Sequence, residues 1–294
     1  MTEFLQATVY GILQGGLLAL VGVGFSLVWG VMNVVNLAHG SFVILGAYIG
    51  WEVHNRLGLD PLLGMFVAAT ALFLLGYVVQ RWLINLVVNG PIFITLLLTF
   101  GLALLLVQGM NIVFTANYRS IHTAYASDSF ALGGVQVPLG RLIAFAIAVV
   151  ITLALVAFVK RSRTGMSILA TGMDRGAAQL MGIRSRHVYA LTFGLAAGMA
   201  AIAGTWVGTV GTFSPAAAGT FTLLSFVIAV LGGLGNMYGA LLGGLVIGLV
   251  ESWAGLYLSG TWMNAIAFLV LVLVLVVRPS GLVGSAYYAA RVEV

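Results

Sequence analysis

The chain contains no cysteine, which excludes disulfides and thiolate metal sites and leaves the redox compartment unread. Charge is scarce as well: Asp, Glu, Lys and Arg make up 6% of its 294 residues, against about 25% in soluble domains. So few charges cannot cover a water-facing surface, which excludes an ordinary soluble fold. The phosphate-cradling GxxxxGK(S/T) loop is missing, and the glycine-rich "GGLGNMYGALLGG" (232–244) carries neither lysine nor arginine. ATP binding by this polypeptide is therefore not expected. There is no HExxH pattern, and four scattered histidines make no metal centre. No serine or aspartate dyad stands out, so neither an enzyme nor a resident cofactor is expected.

Apolar residues fill the space that charge leaves. They make up 62% of the chain, and mean hydropathy is +1.14. Runs of roughly 20 apolar residues recur, the length a helix needs to cross about 30 Å of hydrocarbon. A transmembrane barrel would alternate in short segments, whereas "AIAFLVLVLVLVV" (265–277) does not alternate. The fold class is therefore all-α: a polytopic transmembrane helix bundle forming one domain over 1–294. Breakers and apolar runs place segments near 8–31, 37–51, 61–80, 91–114, 138–159, 188–210, 220–234, 237–258 and 262–277. The second is short and follows Asn33 and Asn36, as half of a broken helix would. The seventh and eighth meet at a glycine-rich turn, so eight or nine crossings are expected. No basic residue precedes the first apolar run, so it reads as a membrane helix and not as a cleaved signal.

Positive charge is unevenly placed. Six of the 12 Lys and Arg residues lie within 160–187: Lys160, Arg161, Arg163, Arg175, Arg184 and Arg186, opposed only by Asp174. Short basic loops stay in the cytoplasm. With the spans alternating, Arg81, Arg278 and Arg291 join them inside, and Arg56, Arg119 and Arg141 remain outside. This topology accounts for the net charge of +5, so no nucleic-acid partner is expected. The carboxyl terminus is then cytoplasmic, and the side of the amino terminus depends on whether the second segment crosses. The outer loop 115–137 reads equally as a small cap and as a plain connection.

Many of the 39 glycines fall four apart: Gly194 and Gly198, Gly204 and Gly208, Gly235, Gly239 and Gly243, and Gly244 and Gly248. Such spacing lets helices approach closely in lipid, and it predicts tight packing together with a helix-lined dimer interface. Three ionisable residues fall within spans: His39, Glu251 and, near an end, Arg141. Glu251 is expected near the outer end of its helix, as an edge carboxylate bonded to neighbouring helices or as a coupling acid. His39 is expected to satisfy broken backbone or to lie on a translocation path.

The basic segment has helical spacing of its own, with apolar positions at Met166, Ile168 and Leu169 and again at Ala177, Leu180, Met181 and Ile183. Asp174 is suited to cap a short helix that starts at Arg175, and Gly182 to end it. Such a helix would lie on anionic lipid or dock into a groove of another protein. The missing ATP motif favours docking on a separate motor.

"GAAQLMGI" (176–183) resembles the EAAxxxG coupling loop of bacterial ABC-transporter permeases, with Gly176 in place of glutamate and Ala177, Ala178 and Gly182 matching. Four blocks resemble more narrowly the permeases for branched-chain amino acids of the high-affinity import type. They are "FSLVWGVMNVVNLAHGSFVILGAY" (25–48), "RSRTGMSILATGMDRGAAQLMGIRSRHVYALTFGLAAGMAAIAG" (161–204), "AVLGGLGNMYGALLGGLVIGLVE" (229–251) and "RPSGLVG" (278–284). After Arg81 the chain departs, reading "QRWLINLVVNGP" where the family often has a basic segment. The resemblance implies a multi-pass inner-membrane subunit that pairs with a second homologous permease chain, two cytoplasmic ATPase subunits and an external solute-binding protein. It implies transport of branched-chain amino acids or related small polar solutes. By position, it implies ATPase-coupling contacts at Asp174, Ala177, Ala178, Gly182 and Arg184. Asn36, His39 and Gly40 of "NLAHG" are expected near the substrate pathway, because a zwitterion needs polar groups at mid-membrane. The competing expectation is an ion-coupled carrier or channel that acts without an ATPase, with Glu251 or His39 as its coupling site.

Overall fold

The computed structural model describes residues 2–258 and 262–284. Its elements follow the breakers. α1 (Thr2–Met32) is succeeded by α2 (His39–Leu57), which stops where Gly58 turns left-handed at φ 65°. α3 (Pro61–Trp82) begins under an Asp60 cap, whose carboxylate accepts from the Leu62 N–H at 2.8 Å, with Pro61 in the first turn. α4 (Ile92–Phe114) leads to the short α5 (Ala124–Ser127) and to a hairpin of β1 (Ser129–Leu132) and β2 (Val135–Pro138). Next come α6 (Leu139–Arg161), α7 (Arg163–Met173), α8 (Arg175–Leu180) and α9 (Ser185–Val210). α10 (Ala218–Gly232), α11 (Met237–Tyr257) and α12 (Met263–Val277) complete the bundle. Among the described residues, seven helices are long and apolar enough to cross a membrane. The fold class is as expected, with one small departure in the hairpin that caps the 115–138 side.

Basic residues segregate by end. Gln6 at the start of α1 bonds to Gln136 of β2, and Arg119 pairs with Phe213 in a backbone bridge, so these lie at the hairpin end. Gly30 near the other end of α1 meets Gly235 and Gly172, and Leu282 bonds to Leu231, which places Arg278 beside the 160–187 segment. The start of α1 therefore lies at the hairpin end, opposite the 160–187 segment. The carboxyl terminus and Arg291 lie outside the described residues.

Packing reveals an order that hydropathy did not. α1 packs most extensively on α11, and α9 does so on α3; α9 also lies against α2 as α1 lies against α10. Exchanging α1–α4 for α9–α12 thus reproduces the contacts, while α1 runs away from the hairpin end and α9 runs towards it. This is an inverted repeat about an axis in the membrane plane. The spaced glycines build it. A Cβ on Gly15 would stand 2.8 Å from the Leu245 Cα, one on Gly244 2.4 Å from the Ala19 Cα, and one on Gly194 2.9 Å from the Phe73 carbonyl oxygen. Gly204 rests on the backbone of α2, and Gly239 and Gly243 on that of α10. These stripes are buried within the chain, so the dimer interface expected from them is not formed by these glycines. Helix backbones in lipid gain most from close approach, and both repeats use small residues for that purpose.

The hairpin end is closed by side chains. His54 reaches the Leu59 and His122 carbonyls, and Arg119 lies 4.1 Å over the Trp51 ring. The Tyr125 hydroxyl donates to Asp60 Oδ1 at 2.9 Å. Burial first, and then that bond, push the Tyr125 phenol up from 10.0 to about 12. The neutral phenol is the docked form, so its contribution is complete below pH 10 and is lost as pH rises through about 12. An alkaline absorbance titration should contain a tyrosine step near 12 that Tyr125→Phe removes; an unchanged titration curve in the variant would refute the assignment.

Candidate functional site

Two places collect the expected residues. The first is the basic end. Ser162 caps α7 by accepting from the Gly165 N–H at 2.9 Å, which makes 163–173 a helix of its own, where the sequence showed only apolar positions at helical spacing. Asp174 ends α7 and opens α8, its carboxylate accepting from the Ala177 N–H at 3.0 Å. Gly182, at φ 82°, closes α8. Its N–H donates to the Gln179 carbonyl at 3.0 Å and the Ile183 N–H to the Ala178 carbonyl at 3.0 Å, the two bonds of a Schellman ending. Ala178 is buried beneath the helix, Ala177 is exposed, and Arg184 lies just beyond it at the start of α9. The surface that α8 offers is apolar: Leu180 is 90% exposed and Met181 83%. The α3–α4 connection also reaches this end, because the Arg175 guanidinium donates to Asn89. Nothing local in the sequence marks Asn89 as a neighbour of Arg175.

The second place is at mid-depth. His39 Nε2 lies 2.9 Å from the Val21 carbonyl. Val21 is eleven residues from the end of α1, or about 16 Å at 1.5 Å per residue, roughly half of the hydrocarbon thickness. The chain therefore leaves α1 at the basic end, climbs back through 34–38 outside any helix, and starts α2 near the midplane. Open backbone at that depth must be satisfied by protein, and neighbouring helices do this. Asn36 Oδ1 accepts from the Ala38 N–H at 3.1 Å. Thr99 of α4 accepts from the Leu37 N–H at 3.2 Å and reaches the Val35 carbonyl at 3.0 Å. Thr222 of α10 accepts from the Gly40 N–H at 3.0 Å and lies 3.1 Å from the carbonyls of both Leu37 and Ala218.

α10 is the second interrupted element. Residues 211–217 return from the hairpin end, and α10 starts at Ala218 against Gly40. Two helix N-termini, those of the matching elements α2 and α10, thus abut. Asn36, His39 and Gly40 all belong to this junction, although the His39 ring points towards α1, edge-on to Phe25 with ring centres 5.8 Å apart. Thr99 and Thr222 escaped the sequence reading; the only signal was a hydroxyl inside an apolar helix. Replacing Thr222 with valine leaves the Gly40 N–H without an acceptor, a loss of about 1–3 kcal/mol. The variant should show a lowered thermal midpoint in detergent, and a midpoint equal to that of the unmodified chain would refute this role.

Glu251 lies six residues before the end of α11, towards the hairpin end. It has no hydrogen-bond partner among the described residues; the bonds to α1 come from its neighbours, Ser252 to the Ala7 carbonyl at 2.6 Å and Trp253 to Thr8 at 3.0 Å. The edge carboxylate is where it was expected, without the bonds to neighbouring helices. No group of histidine and acidic residues suited to a metal occurs among the described residues.

Comparison with known proteins bears on both places. The family described as branched-chain amino acid transport system, permease component, matches residues 7–275. The chain is 29% identical over 295 residues to the high-affinity branched-chain amino acid transport system permease protein BraD of Pseudomonas aeruginosa, covering 96% of each. It is 29% identical over 300 residues to the corresponding LivH protein of Escherichia coli K12, again covering 96% of each. Among solved structures, PsaBC from Streptococcus pneumoniae in complex with Fab aligns with a TM-score of 0.51 at 13% identity, over 99% of this chain and 95% of that one. At that identity the likeness concerns the fold alone.

Proposed function

Because the chain belongs to the branched-chain amino acid transport system permease family, we propose that it carries branched-chain amino acids or related small polar solutes across a bacterial inner membrane as one permease of an ABC importer. It is a transport component and not an enzyme; the energy comes from ATPase chains, and an external binding protein delivers the solute. Two ATPase subunits would serve a pair of homologous permeases. The observation that carries the reading is α8: a helix capped at both ends that exposes Leu180 and Met181 to water. An apolar ridge on a short, fixed helix suits a groove in a partner protein, and the chain has no nucleotide loop of its own. Asp174, Ala177, Ala178, Gly182 and Arg184 would make or shape that contact. The basic end would then be cytoplasmic, with the hairpin facing the binding protein.

The midplane junction supports a pathway beside Asn36, His39 and Gly40. In inverted-repeat transporters solutes bind near such breaks, where helix ends and free carbonyls supply polarity. The test is reconstitution of the chain in liposomes with its partner permease, the ATPases and the binding protein, following ATP hydrolysis and solute uptake together. Uptake that needs ATP and every component is expected. Uptake by this chain alone, driven by an ion gradient, would overturn the reading in favour of a carrier coupled through Glu251 or His39.

A further inference from the structure

At the basic end, four arginines line one hollow. Arg81 from the last turn of α3, Arg175 from α8, and Arg184 and Arg186 on either side of the first residue of α9 line a cavity of about 460 Å³ with Gln179 and Ser185. Among the described residues, no carboxylate lies within ion-pair distance of any of the four; the one ion pair there joins Arg56 and Glu52 at the other end. Arg175 is held in place by Asn89 and lies 5.5 Å over the Tyr189 ring. Like charges gathered in this way repel one another unless an anion lies between them.

Two further features point the same way. Ser185 lines the cavity yet is only 2% exposed, and its hydroxyl has no partner among the described residues. It is also the first residue of α9, a 26-residue helix whose N-cap, Arg184, offers no side-chain cap. The positive end of that helix dipole lies at the lining residues Arg184, Ser185 and Arg186, and a helix N-terminus favours an anion there. Beneath the rim, Gln80 donates to Asn85 at 3.1 Å and Asn85 to the Arg186 carbonyl at 3.1 Å. This bonding fixes the α3 terminus and the α9 start relative to one another.

The source of the phosphate is indicated by what lies next to the arginines. An apolar groove of about 720 Å³ starts at Leu83 and Val87, just after Arg81, and continues along α4 past Ile94, Leu97 and Leu105. A Cβ on Gly101, within that groove, would meet nothing within 4 Å. The connection that supplies Leu83 and Val87 also supplies Asn89, which holds Arg175. We propose that this is a phospholipid site: the phosphate of an anionic headgroup sits among Arg81, Arg175, Arg184, Arg186 and Ser185, and an acyl chain lies along α4. The lipid would staple the α3–α4 connection to the segment carrying α8, next to the surface assigned to the ATPase. The binding site itself does not depend on that assignment.

The test is native mass spectrometry of the full chain released from nanodiscs containing equal amounts of phosphatidylglycerol and phosphatidylcholine. Retention of phosphatidylglycerol over phosphatidylcholine is expected. Removing two of the charges, in Arg81→Gln with Arg186→Gln, should lower that preference roughly 20- to 30-fold. Should the double variant fail to assemble, Leu97→Trp fills the groove from a side chain that is already exposed, and it should release the lipid without touching an arginine. Inorganic phosphate added at millimolar concentration should not displace the lipid. Full displacement would assign the hollow to a free anion and overturn the lipid reading. An undiminished preference in both variants would also overturn it, as would loss of ATPase binding in the double variant with lipid retention unchanged.

Discussion

Gly40→Ala is expected to prevent the chain from accumulating as a folded membrane protein. A Cβ at this position would stand 2.0 Å from the Ala218 carbonyl oxygen, 2.5 Å from the Thr222 nitrogen and 2.6 Å from its hydroxyl. Two of these three atoms are backbone, so no rotamer change makes room. The starts of α2 and α10 would have to separate, and separation would break the Gly40–Thr222 bond that satisfies the interrupted backbone. Overpacking alone costs about 1–3 kcal/mol, and an N–H left bare at mid-membrane adds about 1–3 kcal/mol more. Together these are a large part of the 5–15 kcal/mol that typically holds a domain folded. The measurement is fluorescence-detected size-exclusion of a tagged chain, with Gly219→Ala as control. Gly219 lies one residue into α10 with open space around it, so its variant should elute as the unmodified chain does. Normal recovery and melting of Gly40→Ala would show that the two helix ends do not depend on contact at this point.

Gly182→Leu is expected to give the opposite pattern, a folded chain that imports poorly. Nothing lies within 4 Å of a Cβ at this position, so there is no clash. What the substitution disturbs is the left-handed backbone at φ 82°, where an L-residue costs roughly 1–2 kcal/mol. The Schellman ending of α8 would loosen, and with it the placement of Leu180 and Met181. A penalty of that size lowers the docking-competent population about 5- to 30-fold. In the reconstituted importer, solute uptake should fall by that factor, while the chain by itself still elutes as a folded membrane protein. Gly176→Ala is the companion variant: it lies inside α8 with only an ordinary 3.4 Å contact to Asp174, and alanine favours helix there. Import at the unmodified level by Gly182→Leu would remove α8 from the coupling surface.

The two variants differ because one glycine serves a contact between distant segments and the other a local turn, and the same difference governs what could be read in advance. The ends of α8 were legible because a cap and a left-handed stop are decided by neighbours within a few residues. Asp174 and Gly182 declare themselves at that range. The break after Asn33 and Asn36 was legible for the same reason. The second break, 211–217, was not, because "GTFSPAA" reads as an ordinary connection unless one knows that α10 starts at mid-depth. Glycine spacing correctly announced close helix approach but misassigned its partner: Gly194, Gly239 and Gly244 face helices of their own chain.

The sequence by itself determined the solvent, the helices, their approximate ends and the segregation of charge. Each of these follows from hydropathy, chain length and capping, which act locally or against the bilayer as a whole. Only the tertiary structure decided that α1–α4 and α9–α12 repeat in inverted order, that Gly40 meets Thr222 across 182 positions, and that Arg81 joins Arg175, Arg184 and Arg186 around one hollow. Lipid tails are as apolar as the helices they surround, so the apolar pattern carries no preference for one neighbour over another. Neighbours are chosen by shape, small residues and stranded backbone groups, which become partners only once the helices are placed side by side.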